Sequence, residues 1–482
     1  MPNQRNIPQY APAIDEAPLA SENNAGKLAF IAIFAAILAA LVLFHVPGIN
    51  GTAYWPWHYR RIEWWRIYPA MLIATIPAYV AWKIISSPRI RITAAIVCMM
   101  ISCFAMQIVV VGMGDESFNI GRIAQLVNDK MTTSYFTDAT LLAAQPSVRP
   151  FLAQYDRLLP SLTFHSREKP PGPVLYYTFL LRMLDNPDQP GDAALLGGIV
   201  IGLLATLSIP ATFLFVRLIT HNTRAALIAA LYFSIAPCLV VFFPMFDQIY
   251  PIFSCAMLGL WVLAMRDRRW QAAVVFAVVL SVACFFSYAM LVVGAWVVGY
   301  SLLRIREAGK PAIQNFIVQS FIVVISVAAI YGLLWWATGF DPFATFRAAA
   351  ANQRELLAHM VIPRPWPNTI PADFQDFFLG SAWVSLPLII FWVLRQRLGA
   401  GLRDEMGVRS LVWLGLAQIT LVALTGLLAA ETSRVWTFMQ PLALVPIALE
   451  LSRWKPWQCG CVLAIVAIVT AIAAQNMIFL AG

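Results

Sequence analysis

The sequence predicts an all-α polytopic membrane protein of about thirteen transmembrane helices, with a short re-entrant or half helix and interfacial helices in two large outer loops. Composition is the first reason: hydrophobic residues fill 60% of 482 positions and charged residues only 12%, against about 25% charged in a soluble chain. The second is arrangement. Apolar residues come in long runs at 28–46, 93–113, 313–336, 410–429 and 459–480, each near the roughly 20 residues needed to cross a hydrocarbon core. One soluble core cannot house so many all-apolar helices, so the bilayer must act as their solvent. The third is that the remaining charges gather in short loops between the runs.

Taken in chain order, residues 1–27 are polar and rich in Pro, Ala and Asn, which predicts a disordered cytoplasmic tail. Residues 28–92 hold two accessory N-terminal spans; the first run lacks a small-residue cleavage site and reads as a retained span, not a signal peptide. A central module follows at 93–300 with an outer loop at 114–172, then a C-terminal module at 301–482 with an outer loop at 337–377. Basic clusters at Arg89 and Arg91, Arg266 to Arg269, Arg304 to Lys310, Arg395 to Arg403, and Arg453 with Lys455 are assigned to the cytoplasm. The long loops, and turns at 246–248 and 431–434, then fall outside together with 16 of the 24 acidic residues, which agrees with the assignment. The stretch 170–184 is too short to span, and crossing there would invert every later cluster. It reads instead as a half helix buried by protein.

The net charge of +9 does not indicate a nucleic-acid partner, because the basic residues are those same loop clusters. All seven cysteines lie in or beside apolar runs and read as small buried hydrophobes. No internal repeat of the transporter kind is visible. The loop carrying Trp55, Trp57, Arg60, Arg61, Trp64 and Trp65 is basic yet falls outside. It reads as an interfacial aromatic belt, or more sharply as arginines on lipid phosphates. Ile120, Ile123, Ala124, Val127 and Met131 share one helical face and predict an interfacial helix; residues 345–361 predict a second.

Four polar clusters converge on the outer side: Gly114-Asp115-Glu116; the stretch from His165 through Glu168 and Lys169 to Tyr177; Asp247-Gln248-Ile249-Tyr250; and Glu431 to Trp436 around Arg434. Ionisable groups at the mouths of apolar helices are costly unless paired or solvated, which argues for a shared polar cavity. Lys169 stands just ahead of a Pro-started helix, where cation and helix N-terminus suit a phosphate. Each residue also has a plain reading. Lys169 can snorkel, Arg434 can pair with Glu431, Asp247 can cap a helix, and His165 and His359 can be ordinary loop histidines.

A Gly-Asp-Glu at a span end, then an interfacial helix, then Glu-Lys-Pro-Pro-Gly-Pro ahead of Tyr-Tyr resembles the GT-C glycosyltransferase superfamily, nearest its lipid A aminoarabinose transferase and protein O-mannosyltransferase branch. The likeness covers roughly 93–300. Two spans precede the Asp-Glu span where the family usually has none, and the turn at 431–436 departs from its general pattern. The resemblance implies transfer of a sugar from a polyprenyl-phosphate donor to a lipid, glycan or protein acceptor, at the outer face of a bacterial plasma (inner) membrane. It implies Asp115 as general base, with Glu116 diverging from it by about 100° on a helix start. Lys169 and Arg434 would bind the donor phosphate, and Glu168 and Asp247 would orient the acceptor or hold a divalent cation. His165, Gln248, Tyr250, Glu431, Arg60 and Arg61 are further cavity candidates. Inverting and retaining outcomes both stay open. A transporter or flippase of a lipid-linked substrate is the second class, which charges buried mid-span would favour. A scaffold is the third, and it predicts that the clusters do not meet.

Overall fold

The computed structural model describes residues 22–52, 55–59, 66–114, 117–130, 132–184, 190–358, 366–397, 406–429 and 431–480. It is 79% helical, and among the described residues there is no sheet beyond two pairs of two-residue strands. Among the described residues nine helices are long and apolar enough to cross a membrane, or ten if one bent pair is a single span. The protein is therefore an integral membrane protein surrounded by lipid.

The chain opens with α1 (Ala25–Leu43), then α2 (Ile67–Ala74) and α3 (Ile76–Ile85), which form one span with a break at Thr75, then α4 (Ile92–Gly112). The first long loop carries α5 (Arg122–Asn128), α6 (Tyr135–Ala143), α7 (Arg149–Ala153) and α8 (Tyr155–Leu158) and leads into α9 (Gly172–Leu184). Next come α10 (Pro190–Thr206), α11 (Ser208–Thr220), α12 (Thr223–Ser234), α13 (Pro237–Val240), α14 (Tyr250–Arg266), α15 (Trp270–Phe286), α16 (Gly294–Ala308) and α17 (Lys310–Thr338). The second long loop is α18 (Pro342–Ala358), followed by the pair α19 (Thr369–Gly380) and α20 (Ser385–Arg397), bent by 103°. The chain ends on α21 (Met406–Thr425), α22 (Thr432–Val435), α23 (Gln440–Leu451) and α24 (Pro456–Asn476).

The long helices are apolar around their whole circumference, as hydrocarbon-solvated helices are. In α17 only Ala312 and Gln319 are buried, while Phe321, Val324, Leu333 and Trp336 face outward. In water such a face would drive aggregation; in lipid it needs no cover. By contrast α9 has 13 residues, about 20 Å of helix against a hydrocarbon thickness of about 30 Å. Its length fits the expected half helix.

Polar contacts sort the helix ends into two sets. At one end Glu450, fully buried, is bonded by Lys27 (2.7 Å) and Arg395 (2.9 Å), and Arg395 also pairs with Glu22. The Glu22 amide donates to the Arg453 carbonyl (3.1 Å) and the Asn24 amide to Gln458 Oε1 (3.3 Å). The segment expected as a free tail to residue 27 is thus docked from Glu22 onward, because a carboxylate buried in α23 needs cations within reach. The other end carries the loops that hold the candidate site.

Three expectations change in detail. The helix expected to lie on the membrane surface is α5, shorter and seated on α10 with Ile123 and Val127 buried. A Cβ added to Gly198 would come within 2.3 Å of Ile123 Cγ2, so small residues on α10 admit this close approach; Met131 lies outside the described residues. The second such helix is α18, started by Asp341, whose Oδ1 accepts from the Phe343 (2.8 Å) and Ala344 (2.9 Å) amides. Finally, one core crosses the module boundary expected near residue 300. Ser254 Oγ donates to the Phe438 carbonyl (2.7 Å) and Tyr232 to that of Ser381 (2.8 Å), so the two modules pack as one body.

Candidate functional site: a buried arginine among carboxylates

Arg434 lies on α22, a single turn whose entry residue Glu431 takes a left-handed conformation with φ +48°. That turn is held from below. Asp376 on α19 accepts from the Ser433 amide (3.0 Å), from Trp57 Nε1 (2.8 Å) and from Thr432 Oγ1 (3.4 Å). Asp376 and Trp57, both distant in sequence, thereby fix the backbone that carries Arg434.

The guanidinium pairs with Glu431, and its Nε stands 3.6 Å from Asp247 Oδ2, a contact too long for a hydrogen bond. Arg434 Nε is buried and donates to no acceptor among the described residues. Burial alone would lower the pKa of this arginine. Glu431 first, then Asp247, Tyr135 and Glu168, more than offset it and hold the group above its ordinary range. It is a permanent cation.

Asp247 reaches this point on a turn of 3-10 helix, Phe246–Gln248, while Phe246 enters an aromatic cluster. Tyr135, Tyr176, Tyr177 and Phe286 surround the Phe246 ring at centroid distances of 5.3–5.9 Å. Tyr135 lies within electrostatic reach of Tyr250, Asp247, Glu168 and Arg434. Burial first, then Tyr250, Asp247 and Glu168, push its phenol well above the ordinary tyrosine value against the opposing pull of Arg434, so it stays protonated as a donor.

Glu168 ends another turn of 3-10 helix, Ser166–Glu168. Its loop is tied down on both sides. The His165 amide donates to Ser134 Oγ (2.9 Å), Tyr155 donates to the Lys169 carbonyl (3.0 Å), and Asn352 on α18 donates to the Arg167 carbonyl (3.0 Å). Just beyond, a Cβ on Gly172 would lie 2.3 Å from the Phe285 carbonyl oxygen, so the start of α9 sits directly on the end of α15.

Of the residues singled out in the sequence, the structure brings together Glu168, Asp247, Tyr250, Glu431 and Arg434. Lys169 borders this group, half-buried, and its ammonium makes no ion pair among the described residues. The His165 ring is 6.4 Å from that of Tyr135. Gln248 is turned away: it is fully buried, and its Nε2 donates to the Leu239 carbonyl, as Gln107 also does (2.7 Å). Asp115, Glu116, Arg60, Arg61 and His359 lie outside the described residues. Beside them Gly114 is described, and it lies against Arg122; a Cβ there would overlap the guanidinium. Among the described residues no three His, Cys, Asp or Glu side chains gather as metal ligands.

Four residues of this region escape a sequence reading: Asp376, Trp57, Tyr135 and Arg122. Trp57 is no belt residue. It is 5% exposed, packs on Phe242 and Phe479 with ring centroids 5.3 Å away, and spends its N–H on Asp376. The one available signal for Asp376 was a second acid, Asp373, three residues earlier in a mostly apolar helix. No family model matches this chain, and no curated protein matches it.

Proposed function

We propose that the protein is a membrane glycosyltransferase that moves a sugar from a polyprenyl-phosphate donor to an acceptor at the extracytoplasmic face of a bacterial inner membrane. The observation that carries this reading is the buried Arg434 Nε–H, which has no acceptor among the described residues and is ringed by Glu431, Asp247, Glu168 and a protonated Tyr135. A fixed cation with a spare donor is suited to a phosphate oxygen. Flanking carboxylates suit an acceptor hydroxyl. In this reading α12, α15 and α23 with its preceding turn also cross, completing thirteen spans, and the Arg434 end faces outward.

In the reaction the acceptor oxygen attacks the sugar carbon and its proton passes to Asp115. The carbon–oxygen bond to phosphate breaks, and the electron pair leaves on the polyprenyl phosphate, which Arg434, Tyr135 and Lys169 stabilise. Asp247 and Glu168 orient the acceptor. A flippase would need charges along the bilayer path, whereas this cluster sits at helix ends. A scaffold would leave the clusters apart, and three of the four meet.

The test is incubation of the purified protein with radiolabelled polyprenyl-phosphate sugars and crude acceptor fractions. Asp115→Asn keeps size and hydrogen bonding but loses basicity, and should lower turnover by about a hundredfold or more with donor binding intact. Arg434→Ala and Lys169→Ala should each weaken donor binding by about 1.5–3 kcal/mol. Near wild-type transfer by Asp115→Asn removes it as the base; unchanged donor affinity in both cation variants removes the site.

A further inference from the structure

Away from that cluster, α2, α3, α12 and α24 enclose an apolar cavity of about 570 Å³. It runs from Tyr68 and Leu72 past Thr75 to Trp82 on one wall, with Gly460 and Ala467 opposite. Fourteen residues of helix separate Tyr68 from Trp82, about 21 Å at ~1.5 Å per residue, comparable with one extended fatty-acyl chain. All four walls belong to membrane-crossing or apolar helices. Its rim is open to the outside of the bundle: Leu72 is 72% exposed. Water finds few partners in a groove whose lining is almost wholly apolar, and the surrounding solvent is lipid.

From these features we infer that the second accessory span, together with α12 and α24, builds a binding site for one acyl chain of a membrane glycerophospholipid. The ends of the groove select this occupant. At the Tyr68 end stand two neutral hydrogen-bonding groups, the Tyr68 phenol and the Asn476 amide, 3.5 Å apart, where an ester and headgroup would lie. At the far end Trp82 lies directly on Gly460, where an added Cβ would come within 2.7 Å of the indole nitrogen. That contact stops the groove at acyl length, too short for a long polyprenyl tail. The aromatic block of Trp57, Phe242 and Phe479, with rings 5.2–5.3 Å apart, stands between the last turn of α24 and the α22 turn that carries Arg434. A lipid seated here therefore serves the packing of the second accessory span against α12 and α24 and leaves the Arg434 cluster to its own substrate. The site rests on the membrane character of the helices, not on the proposed transferase chemistry.

The test is native mass spectrometry of the full chain released from nanodiscs of phosphatidylethanolamine and phosphatidylglycerol, with polyprenyl phosphate added in a parallel arm. The wild type should retain one phospholipid through release. Ala467→Phe, which fills the groove, and Leu72→Trp, which blocks its rim from an exposed position, should each lower that occupancy about tenfold. Leu333→Phe on the lipid-facing surface of α17 should leave it unchanged. Elution as a single species on size exclusion certifies that each variant is folded. No retained phospholipid in the wild type, equal retention in both groove variants, or displacement of the phospholipid by polyprenyl phosphate overturns the assignment.

Discussion

Replacing Asp376 by alanine tests whether the Arg434 turn is held as described. Asp376 is 4% exposed and accepts two firm hydrogen bonds, from Trp57 Nε1 at 2.8 Å and the Ser433 amide at 3.0 Å, with Thr432 Oγ1 at the edge of range, 3.4 Å away. Alanine leaves the indole N–H and the Ser433 N–H buried without their acceptor. Such orphans cost about 1–3 kcal/mol each in soluble proteins, while side-chain bonds within membrane proteins average about 0.6 and reach about 1.7 kcal/mol. The carboxylate also has a desolvation cost that alanine removes. The expected loss is therefore about 2–4 kcal/mol for Asp376→Ala and roughly half that for Asp376→Asn, which keeps one oxygen acceptor. Reversible unfolding in mixed micelles, titrated with sodium dodecyl sulfate and followed by circular dichroism, measures both. A loss for Asp376→Ala below about 0.5 kcal/mol, the range of ordinary surface changes, would refute the claim that this carboxylate anchors α22.

Gly172→Ala should destabilise by about 1–3 kcal/mol, because its Cβ meets the Phe285 carbonyl oxygen at 2.3 Å and backbone must move; the same titration reads it. Cysteines introduced at the exposed positions Ser147 and Asn368 should both react with a membrane-impermeant maleimide on intact cells, and labelling of only one breaks the proposed topology. The Arg395 hydrogen bond holds the Glu22 carboxyl below its ordinary pKa of 4.5, so that the pair's contribution is complete above that value and is lost as pH falls through the lower folded one. Hydrogen exchange at the start of α1 should accelerate only over that acid range, and an Arg395→Gln variant should show faster exchange already at neutral pH.

The spans were legible because hydrocarbon solvation asks only for apolar runs of sufficient length, a property of each segment by itself. The short α9 was legible for the same reason in reverse. The polar clusters were legible because charge is excluded from helix interiors and collects at their mouths; Glu168, Asp247, Glu431 and Arg434 meet as a result. What stayed hidden depends on partners far apart in the chain. Trp57 and Asp376 are separated by 319 positions. A tryptophan among tryptophans reads as an interfacial belt, and an aspartate in a charged loop reads as solvated. Neither residue announces that it is buried against the other. The docking of Glu22 and Lys27 was hidden by composition, since a Pro- and Asn-rich start reads as disorder. Its sole signal was Glu450, a lone acid in the apolar run of α23, which had to find cations somewhere.

The charge balance around Arg434 bears on how the proposed chemistry would proceed. Among the described residues one guanidinium stands with three carboxylates, so an anionic substrate entering unaided would meet repulsion from them. The three acids do not hold it equally. Glu431 sits one helical turn before Arg434 and grips it through the turn's own geometry, so that pair travels with α22. Asp247 comes from a different segment and stands off at 3.6 Å without a hydrogen bond. Glu168 contributes only at longer range. An arriving phosphate oxygen would therefore take the free Nε–H at the expense of the Asp247 contact and leave Glu431 in place. Asp247, released from the cation, would be free to accept a hydrogen bond from the acceptor hydroxyl. Lys169, beside Glu168 and unpaired among the described residues, would supply the second positive charge that a phosphate requires. On this reasoning the arginine and the aspartate form an exchangeable pair, and donor binding itself would prepare the acceptor side.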